Sequence, residues 1–193
     1  MSGDLHRTVL WLALHAPGAE HVEIRQCPWG YWIDSRMAGV EEGLPVRASY
    51  RIDVDAAWSV IGVAAMWSMA GATHRLRLRR SASGEWRDAN GPRPDLAGCV
   101  DIDIAWTPLT NSLPVRRLGF AVGDRRTIPV AYIAPPDLAV TAVRQQYTRL
   151  APDRWRYEGY PPGFVADITV DGDGLVVNYP NLFQAVATWK GGA

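Results

Sequence analysis

Apolar and polar residues alternate with a period of two along most of this chain, the spacing that sends successive side chains to opposite faces of a half-buried strand. The clearest stretch is 46–54. Val46, Ala48, Tyr50, Ile52 and Val54 share one face, and Arg47, Ser49, Arg51 and Asp53 share the other. Residues 58–69 are apolar on both faces and predict a strand with more cover. Residues 74–79 alternate again, Leu76 and Leu78 against Arg75, Arg77 and Arg79, and Ser83-Gly84 turns the chain toward Trp86. Further strands are predicted at 126–133, 138–147, 155–158 and 164–170. Residues 166–170 and 175–179 flank Asp171-Gly-Asp-Gly174, a hairpin signal because glycine accepts positive φ without steric cost. Near the start, residues 8–14 read as a strand with Val9, Trp11 and Ala13 opposite Leu10, Leu12 and Leu14. The competing reading is the apolar core of a signal peptide, but the run is only about seven residues and His15 follows at once. The pattern predicts roughly a dozen strands with no internal repeat.

One helix is predicted at 112–118. Ser112 can cap it, Pro114 fits a first turn, and Gly119 can end it in the left-handed conformation. Leu113, Val115 and Leu118 are its apolar positions, and Arg116 and Arg117 sit near the C-terminal end, where the dipole favours cations. Residues 137–150 are a second helix candidate, but Val140, Thr141, Val143 and Tyr147 favour a strand. Residues 89–98 carry turn formers and two prolines and read as a loop. The strand pattern resumes at Cys99, so residues 1–193 read as one domain, mainly β, a many-stranded antiparallel sheet with a single short helix.

Composition removes several function classes. The 193 residues are 48% hydrophobic, enough for a sizeable core, and 20 basic residues balance 20 acidic ones. A neutral chain lacks the electrostatic footprint of a nucleic-acid binder. No apolar run approaches the ~20 residues of a membrane span, so a cytoplasmic location is the default expectation. Two cysteines make no disulfide scaffold, and the sequence leaves open whether Cys27 and Cys99 pair. His6, His15, His21 and His74 show no zinc spacing, and Asp171-x-Asp173 lacks the later ligands of a calcium loop. Nucleophile elbows and phosphate-cradling loops are absent. No catalytic residue, metal ligand or cofactor is therefore assigned.

Three features keep chemistry open. Asp101 and Asp103 lie two apart on a predicted strand and share a face. They suit acid–base work on a glycoside, or an ion-pair cluster with Arg116 and Arg117. The arginines of 75–80 suit a solvated strand face or contact with anionic groups. Nine tryptophans suit the core of a large curved sheet or the walls of a cavity for sugars and amphiphiles.

Three segments together carry a resemblance: residues 98–118 (GCVDIDIAWTPLTNSLPVRRL), Gln146-Tyr147 with Tyr157-Glu158, and residues 170–183 (VDGDGLVVNYPNLF). The chain resembles the bacterial glycolipid-binding domain family, from about residue 9 to residue 186. That resemblance implies a spiral β-roll, one antiparallel sheet wrapped around a single helix, and a homodimer. It also implies a non-catalytic binding protein for a glycolipid or other amphiphile held inside the curved sheet. Asp101, Asp103, Asn111, Arg116, Arg117, Tyr147, Tyr157 and Tyr179 are the candidate residues, either facing a polar head group or tying the helix to the sheet. The alternatives are a hydrolase working through Asp101 and Asp103, and a structural dimer without a ligand.

Overall fold

The computed structural model describes residues 4–159 and 163–191. The first half of the chain is a meander of β1 (Asp4–Ala13), β2 (Gly18–Cys27), β3 (Gly30–Glu41), β4 (Leu44–Asp55), β5 (Val60–Met69), β6 (Ala72–Arg80) and the short β7 (Trp86–Asp88) and β8 (Gly91–Pro92). A 3-10 turn at Pro94–Leu96 leads to β9 (Asp101–Ile104) and helix α1 (Leu109–Leu118). A second meander follows: β10 (Arg125–Ala134), β11 (Ala139–Ala151), β12 (Arg154–Glu158), β13 (Val165–Val170), β14 (Val176–Tyr179) and β15 (Phe183–Lys190).

All fifteen strands join one sheet in the order β8-β7-β6-β5-β4-β3-β2-β1-β15-β14-β13-β12-β11-β10-β9. Pairing β1 with β15 fuses the two meanders at the middle of the sheet, and β9 and β10 form a parallel pair. The chain therefore crosses from one sheet edge to the other between β8 and β9. That crossing curls the sheet. The Val60 amide donates to the Val100 carbonyl at 3.2 Å, and the Trp86 indole donates to the Cys99 carbonyl at 2.9 Å. The segment entering β9 is thus laid against β5 and β7 of the opposite half, and α1 is enclosed between the halves. The architecture is a mainly β, curled, unclosed sheet around one α-helix, as the sequence implied.

The inner face follows the predicted alternation. Val46, Ala48, Tyr50, Ile52 and Val54 of β4 are all buried, and Arg75, Arg77 and Arg79 of β6 are exposed. Two polar residues, Glu20 of β2 and Ser35 of β3, also point inward, and the Ser35 hydroxyl donates to Glu20 Oε1 at 2.6 Å. Strands β7, β8 and β9 are two to four residues long, too short to show a period. Trp58, expected within a strand, instead occupies a tight turn at φ 66° and stacks on Tyr31 with ring centroids 4.8 Å apart. Of the nine tryptophans, Trp11, Trp58, Trp67, Trp86, Trp106 and Trp155 are core residues.

The helix departs from its predicted start. It begins three residues earlier, at Leu109, and Ser112 does not cap it. The Ser112 hydroxyl instead accepts the Val176 amide at 3.0 Å, tying the helix to β14, while Thr107 Oγ1 accepts the Leu109 amide at 3.1 Å. Pro114 lies inside the helix, not in its first turn. Residues 109–115 are all buried, because the sheet surrounds this helix instead of covering one stripe of it. Gly119 ends it at φ 60°, as expected.

Gly30 opens β3 at φ 145°, and a Cβ there would be driven into the Val54 carbonyl and the Asp55 backbone. Gly30→Ala is expected to cost about 2 kcal/mol through strain and displacement of β4. Urea unfolding at neutral pH measures this.

Candidate functional site

Two adjoining chambers open inside the curl. The first has a volume of about 420 Å³ and is polar on one side. Asp103 of β9 is its centre. Thr110 of α1 donates to Oδ1 at 3.0 Å, and Gln145 Nε2 and the Tyr157 hydroxyl donate to Oδ2 at 2.6 and 3.4 Å. Burial pushes this carboxyl above its usual range, opposed by the three donors. Asn111, Tyr132 and Tyr179 complete the polar wall, and Phe164 and Phe183 supply apolar surface. The hydroxyls of Tyr132 and Tyr179 make no hydrogen bond to the described residues. Burial and the nearby Asp103 raise the Tyr157 and Tyr179 phenols, so both stay neutral donors.

The second chamber, about 320 Å³, is mostly apolar, with Trp11, Met37, Val46, Trp67 and Trp106 among its walls. Its one buried acid is Glu20. Trp11, Glu20, Met37, Ala48 and Trp67 stand opposite one another on successive strands, so they form one row across the inner face. Ala105, Tyr132, Leu182 and Phe183 line both chambers. Each volume falls in the range of small-molecule sites. Both chambers are lined mostly by apolar surface, and the first adds the hydrogen-bonding cluster around Asp103; sharing a wall, they can take a hydrocarbon with a polar end.

The remaining sequence candidates lie apart from these chambers. Both oxygens of Asp101 are held by Arg117, at 2.5 and 3.1 Å, near the C-terminal end of α1. Asp101 and Asp103 do share a face, but each is engaged by the helix, one through Arg117 and the other through Thr110. Arg116 donates to the Asp173 carbonyl and stacks on Trp58 at 3.8 Å. Tyr147 sits behind the polar wall. It accepts from Asn111 at 3.0 Å and donates to Gln145 at 3.3 Å. The Asp171-Gly-Asp-Gly174 segment is a tight turn. Asp171 Oδ1 accepts the amides of Asp173 and Leu175, and Arg7 and Lys190 neutralise its acids. Among the described residues no group of His, Cys, Asp and Glu is placed to hold a metal ion, and both cysteines are free thiols. No helix is long and apolar enough to cross a membrane.

Sequence reasoning missed Gln145, Tyr132 and Glu20. Gln145 shares strand parity with Tyr147, and Glu20 shares parity with Val22 and Ile24, so the alternation carried both signals.

Fold and cavity together define a class: a curled β-sheet protein with a divided internal cavity around one helix. Residues 8–185 match the family model described as "Putative glycolipid-binding", and the chain belongs to that family. It is similar to the crystal structure of a DUF1089 family protein from Pseudomonas aeruginosa, with 36% identity and a TM-score of 0.77. The alignment covers 86% of this chain and 91% of that one. No curated protein matches the chain.

Proposed function

We propose that this protein is a non-catalytic carrier or receptor for a glycolipid or similar amphiphile. The polar head would lie against Asp103, Asn111, Gln145, Tyr132, Tyr157 and Tyr179, and the hydrocarbon against Trp11, Met37, Trp67 and Trp106. The observation that carries this reading is the wall shared by two largely apolar chambers, one of which presents the Asp103 hydrogen-bonding cluster. Carboxylate and amide groups match sugar hydroxyls, tyrosine rings offer faces to sugar C–H groups, and the chain gains roughly 25 cal/mol per Å² of apolar area buried. The family description agrees with it. A hydrolase using Asp101 and Asp103 has less support, because Arg117 occupies Asp101 outside both chambers.

Native mass spectrometry of protein purified without detergent, with analysis of its organic extract, tests the reading. A stoichiometric amphiphile is expected, on a homodimer if the resemblance extends to assembly. Ala105 is exposed and lines both chambers, so Ala105→Trp should fill the passage, keep the fold and abolish retention. A wild-type protein that stays empty and takes up no added glycolipid overturns the proposal.

A further inference from the structure

The outer face of β4, β5 and β6 carries a groove that neither chamber uses. Asp53, Gly62 and Arg79 stand opposite one another on these three strands and form one row across the sheet. Gly62 leaves that row open, and Arg79 Nη1 reaches over it to Asp53 Oδ2 at 3.8 Å. The next row has the same build with one change. It runs Arg51, Ala64, Arg77, so a second arginine stands where the first row has its carboxylate. The row after that, Ser49, Met66 and Arg75, contains no acid either.

Same-face neighbours along a strand are ~7 Å apart, and strands two apart in a sheet are separated by ~10 Å. Arg51, Arg75 and Arg77 therefore surround one spot above the small side chain of Ala64. The depression there has a volume of about 420 Å³, and Arg36 and Asp34 also border it. It shares Arg51, Ala64 and Arg77 with a second depression of about 240 Å³, where Asp53 and Arg79 stand. The charges do not balance: five arginines line the two depressions against two aspartates. Arg36 holds Asp34, and Arg51 and Arg79 share Asp53. Arg75 and Arg77 are exposed and have no ion pair among the described residues. The whole chain carries 20 basic and 20 acidic residues, so this surplus is local. Neighbouring like charges on a sheet face repel, and an anion set between them relieves that cost. A carboxylate spends both its oxygens on one guanidinium in a bidentate pair. A phosphate has further oxygens to offer to the opposite wall.

We infer that this groove binds a phosphate group, gripped by Arg51 from β4 and by Arg75 and Arg77 from β6, with Ala64 as its floor. The site lies on the other face of the sheet from the chambers and is independent of what they hold. Inorganic phosphate is the probe, titrated into the full-length protein at constant ionic strength made up with sodium chloride. The arginine Nε–H signals in NMR report where it sits. Saturable shifts are expected at Arg51, Arg75 and Arg77 ahead of the other arginines. The Arg75→Gln, Arg77→Gln double variant should bind ~10-fold or more weakly. Its urea midpoint should stay near that of the wild type, since both side chains are exposed and unpaired. Ala64→Leu keeps every charge but fills the floor, and should weaken binding as well. Arg47→Gln removes a charge from the same face outside the groove, and should change affinity less than about 2-fold.

Sedimentation with phosphatidylcholine vesicles, with and without phosphatidic acid, separates two sources of the phosphate. Retention on the phosphatidic acid vesicles that the double arginine variant loses supports the site and assigns it a lipid head group. Saturable phosphate binding without retention supports the site and assigns it a soluble phosphoester. Shifts spread evenly over the surface arginines overturn the inference. So does an affinity that follows net charge alone, falling as far in Arg47→Gln as in each groove arginine and unmoved by Ala64→Leu.

Discussion

Glu20→Gln should make the protein more stable at pH 8 than the wild type, relative to their difference at pH 4, by up to about 3 kcal/mol. Desolvation pushes the Glu20 carboxyl up from 4.5 to about 7, against the pull of the Ser35, Tyr50 and Thr107 hydroxyls. A raised carboxyl in the folded state fixes the sign. Below about pH 4.5 the group is protonated in both states and its contribution to stability is fully present. As pH rises through that window the unfolded chain releases the proton and the folded one does not, so stability falls. Above about pH 7 the folded protein carries a buried charge and the loss is complete. Glutamine cannot ionise, so its own cost or benefit is constant with pH. Urea unfolding of both proteins from pH 4 to 8 isolates the effect in the difference between the curves. Asp101 and Asp103, also raised by burial, slope both curves alike. A difference that stays flat with pH would mean that Glu20 does not ionise differently on folding.

The second large effect is expected from Arg117→Ala. The Asp101 side chain is 1% exposed, and Arg117 is its charge partner through two hydrogen bonds. Losing one partner of a buried pair leaves the other charge uncompensated, which costs about 3–5 kcal/mol. Replacing both with leucine should recover most of that loss, since an apolar pair carries no desolvation penalty. Denaturant unfolding of the single and double variants measures both. The same variants separate two roles. Neither residue lines a chamber, so a folded Arg117→Ala protein, held below its midpoint temperature, should bind amphiphile as the wild type does. Weakened binding with intact folding would instead assign Arg117 to the head group.

Much of the fold was legible along the chain. The period-two pattern of β4 and β6 names inner and outer residues correctly, because only one face of those strands meets the core. The Asp171-Gly-Asp-Gly174 turn and the Gly119 stop were also legible, because both depend on local backbone chemistry. The start of α1 was not. Ser112 and Thr107 have equal local claims to a cap, and only the nearby Val176 amide draws the Ser112 hydroxyl to β14. The candidate site was legible in part. Asp103, Asn111, Tyr157 and Tyr179 line the chamber centred on Asp103, whereas Asp101, Arg116, Arg117 and Tyr147 lie outside both.

By itself the sequence determined a mainly β chain with a short helix, the inner parity of its clearest strands and its membership of a family, because these rest on spacing and on residues that are neighbours in the chain. The curl decided the rest. It sets β9, at one edge of the sheet, against strands of the opposite half, lays Trp106 on Trp67, and brings Asp103 together with Gln145 and Tyr157. These partners are 39 to 54 residues apart in sequence. No local periodicity records such distances; they are set by the pairing of β1 with β15 and by the crossing between β8 and β9, which curl the sheet around its helix and leave the two chambers inside.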